Sequence, residues 1–272
     1  MVVQHNMQAV NANRMLGANV KAVAKNTEKL SSGYKVNRAA DDAAGLSISE
    51  KMRNQIRGIN QAVKNSEDGQ YLIQTAEGNM NEIHSILQRM GELATKAAND
   101  VNASEDRQTI KDEISQLEKE IDSISNKAQF NGTYLLNGSM STTAKQLQVG
   151  ANSGENMSIK IAKMSASAIG VKDLSVSTHA AAASSMSKIS SAIKQVSAAR
   201  SELGAIQNRL DYTINNLQNY SENLTSSESN IRDTDMATEM VNYSKNNILQ
   251  QAAQSMLAQA NQSNQGVLSL LG

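Results

Sequence analysis

Apolar residues recur at spacings of three and four along most of the chain. Leu16, Val20, Val23, Thr27 and Leu30 step by 4, 3, 4 and 3, the spacing of one helix face. Gly33 follows as a C-terminal stop, and Asp41 and Asp42 read as start signals for the next helix. From Met52 the pattern is long. Ile56, Ile59, Val63, Ser66, Gln70, Ile73, Ala76, Met80, Ile83, Leu87, Met90, Ala94, Ala97 and Val101 keep the same rhythm. They predict one helix over about 45–101, roughly 85 Å long. Gly58, Gly69, Gly78 and Gly91 lie within it. Each weakens an isolated helix by about 1 kcal/mol relative to alanine, so tertiary packing must support it. Ser104, ahead of Glu105 and Asp106, marks a new helix start, continued by Ile110, Ile114, Leu117, Ile121, Ile124 and Ala128.

The rhythm changes over 130–178. Asn131-Gly132 and Asn137-Gly138 are hairpin-type turn signals. Leu147 and Val149, then Met157, Ile159 and Ile161, alternate with polar residues on either side of "GANSGEN", a β-hairpin pattern. Too few apolar residues fall here for a second core. Helix returns near residue 180. Ile189, Val196, Leu203, Leu210, Leu217, Leu224 and Ile231 repeat every seven residues, which keeps one seam against a partner through supercoiling. A second, patchier seam is Ile193, Ile206, Ile214 and Tyr220. "RDTD" at 232–235 is a break and a helix start, and Val241, Ile248, Ala252 and Met256 line one side of the last helix.

The predicted fold is mainly α: a long, elongated antiparallel helical coiled-coil rod with a small β-hairpin region and paired N- and C-terminal helices. Both terminal helices carry an apolar stripe, and the simplest cover for each is the other. Two helices cannot bury wide apolar arcs completely, so leftover surface asks for further chains. Composition fits this picture. The chain has no proline, no tryptophan and one phenylalanine, as expected for long helices without a ring-packed core. The absence of cysteine excludes disulfides, thiolate metal sites and cysteine nucleophiles.

Formal net charge is zero, which argues against nucleic acid as the main partner. Its distribution is uneven: residues 1–64 carry ten Lys/Arg and four Asp/Glu, whereas residues 65–124 carry five and thirteen. No apolar run reaches the length of a membrane span, and the first residues lack the apolar core of a signal peptide. His5, His84 and His179 share no metal-ligand spacing. Asp41-Asp42 fits helix capping better than paired catalytic carboxylates, with Arg38 close enough in sequence to pair with one of them. No phosphate-binding glycine motif occurs. No enzyme, cofactor or metal is expected.

Three long stretches carry a family resemblance. "KLSSGYKVNRAADDAAGLSISEKMRNQIRGINQAVKNSEDGQYLIQTAEGNMNEI" (29–83) resembles the N-terminal signature of bacterial flagellin. "FNGTYLLNGS" (130–139) and "LQVGANSGENMSIKI" (147–161) resemble its β-hairpin region, and residues 200–262 resemble its C-terminal signature. The resemblance implies a secreted structural subunit that polymerises into the extracellular flagellar filament for motility. It implies a chain exported unfolded and assembled through its terminal helices. It also implies four parts: 1–40 and 234–272 as the two halves of an inner coiled-coil domain, 41–178 and 179–233 as a core rod, with about 140–178 as a minimal variable region.

The expected subunit-interface residues are Leu16, Val20, Val23, Leu30, Val241, Ile248, Ala252, Met256, Val267, Leu268, Leu270 and Leu271. Expected partners are other flagellin subunits, an export chaperone at the C-terminal helix, and filament cap and junction proteins. The resemblance further implies a contact with a host Toll-like receptor through Arg89, Leu93 and Glu113. It is weaker there, because Gly91 and Lys96 depart from the family motif. A hook–filament junction protein and a secreted coiled-coil binding module are the alternative functions.

Overall fold

The computed structural model describes residues 5–271, with side chains described through residue 263. Ten elements follow one another: α1 (Met7–Ser32), α2 (Ala43–Ala97), α3 (Ser104–Lys127), β1 (Gln129–Phe130), β2 (Thr133–Tyr134), α4 (Ser139–Thr142), β3 (Lys145–Gln148), β4 (Asn156–Ile159), α5 (His179–Arg232) and α6 (Met236–Leu271). They form two compact units. One combines the two ends of the chain, up to residue 54 and from residue 222; the other holds residues 55–221. No helix among the described residues is long and apolar enough to cross a membrane.

The middle unit is built on α2, α3 and α5. On α2, Ile59, Ala62, Ser66, Gly69, Ile73, Ala76, Met80, Ile83, Leu87, Met90, Ala94 and Ala97 are all buried, in unbroken steps of 3 and 4. α5 runs antiparallel to this seam: Ser221 donates to Asn60 at 3.0 Å, Gln70 to Asp211, and Arg200 to Glu77 at 3.4 Å. Its heptad residues Ile189, Val196, Leu203, Leu210 and Leu217 are buried, together with the small residues Ala182, Ser185 and Ala192. Tyr220, expected in the second seam, is exposed instead. Ile110, Ile114 and Ile121 bring α3 into the same core.

Several expectations shift by a residue or a turn. α2 ends at Ala97, so Val101 falls beyond it and is exposed. Ala103 is the N-cap of α3, where its backbone N–H donates to the Asp106 carboxylate at 3.2 Å; Ser104 is already helical. In the seam, Ala62 and Gly69 take the places expected for Val63 and Gln70. Two glycines explain the second shift, because the β3–β4 hairpin packs directly on α2. A Cβ on Gly58 would sit 2.9 Å from the Ala151 Cβ, and one on Gly69 would sit 2.5 Å from a Leu147 methyl group.

The hairpins follow their turn chemistry. β3 pairs antiparallel with β4, Leu147 opposite Met157. β1 and β2 are joined by Asn131 and Gly132, both with positive φ, which a two-residue primed turn requires. Asn137-Gly138 starts the single helical turn α4 rather than a second hairpin. The segment after β4 then runs along α3 as a buried strap through Ile161, Met164, Ala166, Ile169, Val171, Leu174 and Val176. α3 holds its backbone: Asp122 accepts from Ala166 N at 2.8 Å, and Glu118 accepts from Asp173 N and Leu174 N at 3.1 and 3.0 Å.

Candidate assembly surface

α1 and α6 pair antiparallel in the unit formed by the chain ends. Asn6 Nδ2 donates to the Ala260 carbonyl at 2.9 Å near one end, and Lys29 Nζ lies 3.7 Å from Glu239 Oε2 near the other. The shielded positions of α6 include Glu239, Tyr243, Asn246, Gln250, Ala253, Leu257 and Ala260; those of α1 include Ala9, Ala12, Leu16, Asn19, Val23, Asn26 and Leu30. The seam is therefore largely small and polar. Glu239 is 7% exposed, with one carboxylate oxygen lacking a hydrogen-bond partner, and buried Asn26 has an unpartnered Nδ2.

The apolar stripe of α6 lies outside this seam: Val241 and Ile248 face away from it, and Met256 borders it beside Met15. Val241, Ile248 and Met256 are 68%, 66% and 63% exposed, and Leu249 and Ala252 are open beside them. The helical repeat places Val241 about 200° around the axis from Glu239. The expectation that the two stripes cover each other is corrected here. Contacts at both ends of the pair fix the rotation of α6, and that rotation directs Glu239, not Val241, toward α1. Of the interface residues expected from the sequence, Leu16, Val23 and Leu30 are half-buried in the seam, while Val20, Val241, Ile248, Ala252 and Met256 stay open. Val267, Leu268, Leu270 and Leu271 lie outside the residues whose side chains are described.

The breaks flanking the terminal helices are tied together. Gly33, with φ 75°, ends α1. Its carbonyl accepts from Thr234 N at 3.0 Å, and Lys35 N donates to the Arg232 carbonyl at 2.7 Å. The Arg232 guanidinium stacks 4.6 Å above the Tyr34 ring and pairs with Glu50 at 2.9 Å. Asp235 caps α6 through Thr238 and the Ala237 amide, and these bonds lower its pKa. Asp41 turns the other break: it accepts from Asn37 N and Arg38 N and pairs with Lys25 at 2.8 Å. The Lys25 ammonium, then the Arg38 amide, hold its carboxyl at about 2. Arg38's side chain reaches Glu28 at 2.8 Å instead of either aspartate, because its backbone already occupies Asp41. Asp42 caps α2 through Gly45 N at 2.9 Å. The sequence marked both breaks but gave no sign that they pair.

In the middle unit, Arg89 bridges Glu92 at 3.1 Å and Glu113 at 3.0 Å, at an exposed groove between α2 and α3. The paired carboxylates raise the Arg89 pKa. Leu93 is 4% exposed and belongs to the core.

Comparison with known proteins converges on one family. The model for the bacterial flagellin N-terminal helical region matches residues 3–141, and that for the C-terminal helical region matches residues 186–271. A flagellin of Halalkalibacterium halodurans is 52% identical over all of both chains, and one of Bacillus subtilis is 50% identical, again over all of both. The crystal structure of Bacillus cereus flagellin aligns with a TM-score of 0.51 at 30% identity, covering 57% of this chain and 88% of that one.

Proposed function

Because the chain belongs to the bacterial flagellin family and is a structural subunit of the flagellar filament, we propose that the open apolar face of its terminal helices is the surface that neighbouring subunits cover. Val20, Val241, Ile248, Ala252 and Met256 form this face. The observation that carries the reading is the inversion on α6: Glu239, Asn246 and Gln250 are shielded while Val241, Ile248 and Met256 stand in water. Covering each of those side chains contributes roughly 1.5–3 kcal/mol, which no partner among the described residues supplies. A contact that repeats without closing gives a helical polymer.

The same inversion bears on export. A pair whose apolar seam residues are only half-buried gains a limited amount from burial, and isolated helices are marginal in water. The terminal helices fold on docking, and the subunit travels unfolded to the growing tip. The open side of α6 is the surface an export chaperone would hold, and cap and junction proteins meet the same ends. Arg89 and Glu113 are the exposed pair available to a host receptor, with Leu93 behind them in the core.

Double substitution of Val241 and Ile248 by Asp tests the assembly reading. The variant should leave the middle unit folded and fail to extend filament seeds. Uniform long filaments from V241D/I248D would overturn it.

A further inference from the structure

The exposed and the buried methionines fall in different units, while Met52 and Met186 are half-buried. Met7, Met15, Met236, Met240 and Met256 are all exposed and all lie in the unit formed by the chain ends; Met80, Met90, Met140, Met157 and Met164 are all buried in the middle unit. Met15 and Met256 line a groove of about 500 Å³ between α1 and α6 that also includes Ala12, Ala253 and Ala260. With no cysteine in the chain, these thioethers are its most readily oxidised exposed groups.

We infer that Met15 and Met256 form a peroxide-sensitive modification site that stops the free subunit from assembling. This rests on the reading that the open face is the assembly surface. In the reaction, a sulfur lone pair attacks one oxygen of hydrogen peroxide, an S–O bond forms as the O–O bond breaks, and the departing hydroxide takes the proton from the transferred oxygen and leaves as water. The thioether is oxidised to a sulfoxide and the peroxide is reduced. In the free subunit, whose terminal helices are not yet docked, the new S=O dipole lies in water and leaves the fold of the middle unit untouched. Under a neighbouring subunit it is buried on an apolar face without a partner, which is unfavourable. The core methionines are shielded from the oxidant, so the fold survives the dose that alters the surface. The change is reversible, because each sulfoxide epimer has its own reductase.

The test treats the full-length free subunit with dilute hydrogen peroxide and maps sulfoxide by peptide mass. Seeded elongation is then measured as the ratio of treated to untreated rate. Sulfoxide is expected at Met15 and Met256 before Met80 or Met90, with helix content unchanged. The ratio should fall at least about tenfold and recover after treatment with both sulfoxide reductases. In M15L/M256L, whatever its starting rate, the ratio should stay within about twofold of one. Undiminished elongation by wild type carrying both sulfoxides would overturn the inference, as would equal peroxide sensitivity of M15L/M256L. Untreated V241D/I248D separates the two claims. If it elongates normally, the assembly reading fails; if it does not elongate while the sulfoxide form does, only the present inference fails.

Discussion

Glu239 and Val241 stand two residues apart on α6 and face opposite ways: the carboxylate is buried beside Lys29, and the isopropyl group is open to solvent. An isolated globule gains by the reverse arrangement. In the proposed assembly a subunit does not, because the next copy covers its apolar side. The seam sets which helix faces pair, and the open face is the one proposed for assembly.

The seam predicts an asymmetry between its two charges. Lys29→Leu strands the buried Glu239 carboxylate and should cost about 1–3 kcal/mol, read as a lower filament dissociation temperature. Glu239→Leu removes the buried charge and fills its place with a side chain of similar size, so the temperature should hold or rise. Equal losses from both would contradict the account.

Acid should loosen the unit formed by the chain ends over a defined range. Asp41 sits at about 2 against an ordinary 3.8, chiefly through Lys25, and Glu50 and Asp235 are also lowered. A carboxyl with a depressed folded pKa contributes its stability above the unfolded value and loses it as pH falls through the folded one. Stability is therefore level above about pH 5 and declines between about pH 4 and 2. Asp41→Asn should make filament dissociation less dependent on pH across that range; an unchanged profile would count against the Lys25 pairing.

The glycines of α2 should respond in opposite directions. Nothing lies within 4 Å of a Cβ added at Gly78, so Gly78→Ala should raise stability by up to about 1 kcal/mol. Gly58→Ala meets Ala151 at 2.9 Å, with backbone at 3.4 Å, and should lower the melting temperature of the middle unit despite alanine's better helix propensity. A rise at both positions would mean that the hairpin does not rest on α2.

The strap over 161–176 is tested through α3. Asp122→Ala removes the acceptor for Ala166 N and should speed amide exchange at Ala166 and Ile169 at least several-fold, with a loss of about 1–2 kcal/mol. Unchanged protection would show that apolar burial alone fixes the strap.

The sequence made the strongest elements legible. Ile189 through Leu217 repeat every seven residues and are buried as that spacing requires, and Asn131-Gly132 makes the turn its residue types favour. The α2 seam was read one position off at Val63 and Gln70, because counting apolar residues passes over Ala62 and Gly69. The small residue is needed at 69 so that Leu147 can pack there, a demand from 78 residues away that local spacing does not carry. The strap escaped notice because its apolar residues step by 3 and 2, a spacing of neither helix nor strand, and its backbone is held by Glu118 and Asp122, which look like ordinary solvated charges. The assembly face was half legible: the stripe on α6 was visible, but its direction was not, since Glu239, Asn246 and Gln250 do not announce themselves as a helix-pairing surface.

The most direct test uses the absence of native cysteine. A single I248C substitution gives one thiol on the open face of α6, and its maleimide labelling rate can be compared in free subunits and in assembled filaments. The account predicts fast labelling of the free subunit and strong protection in the filament. Equal labelling in both states would contradict it.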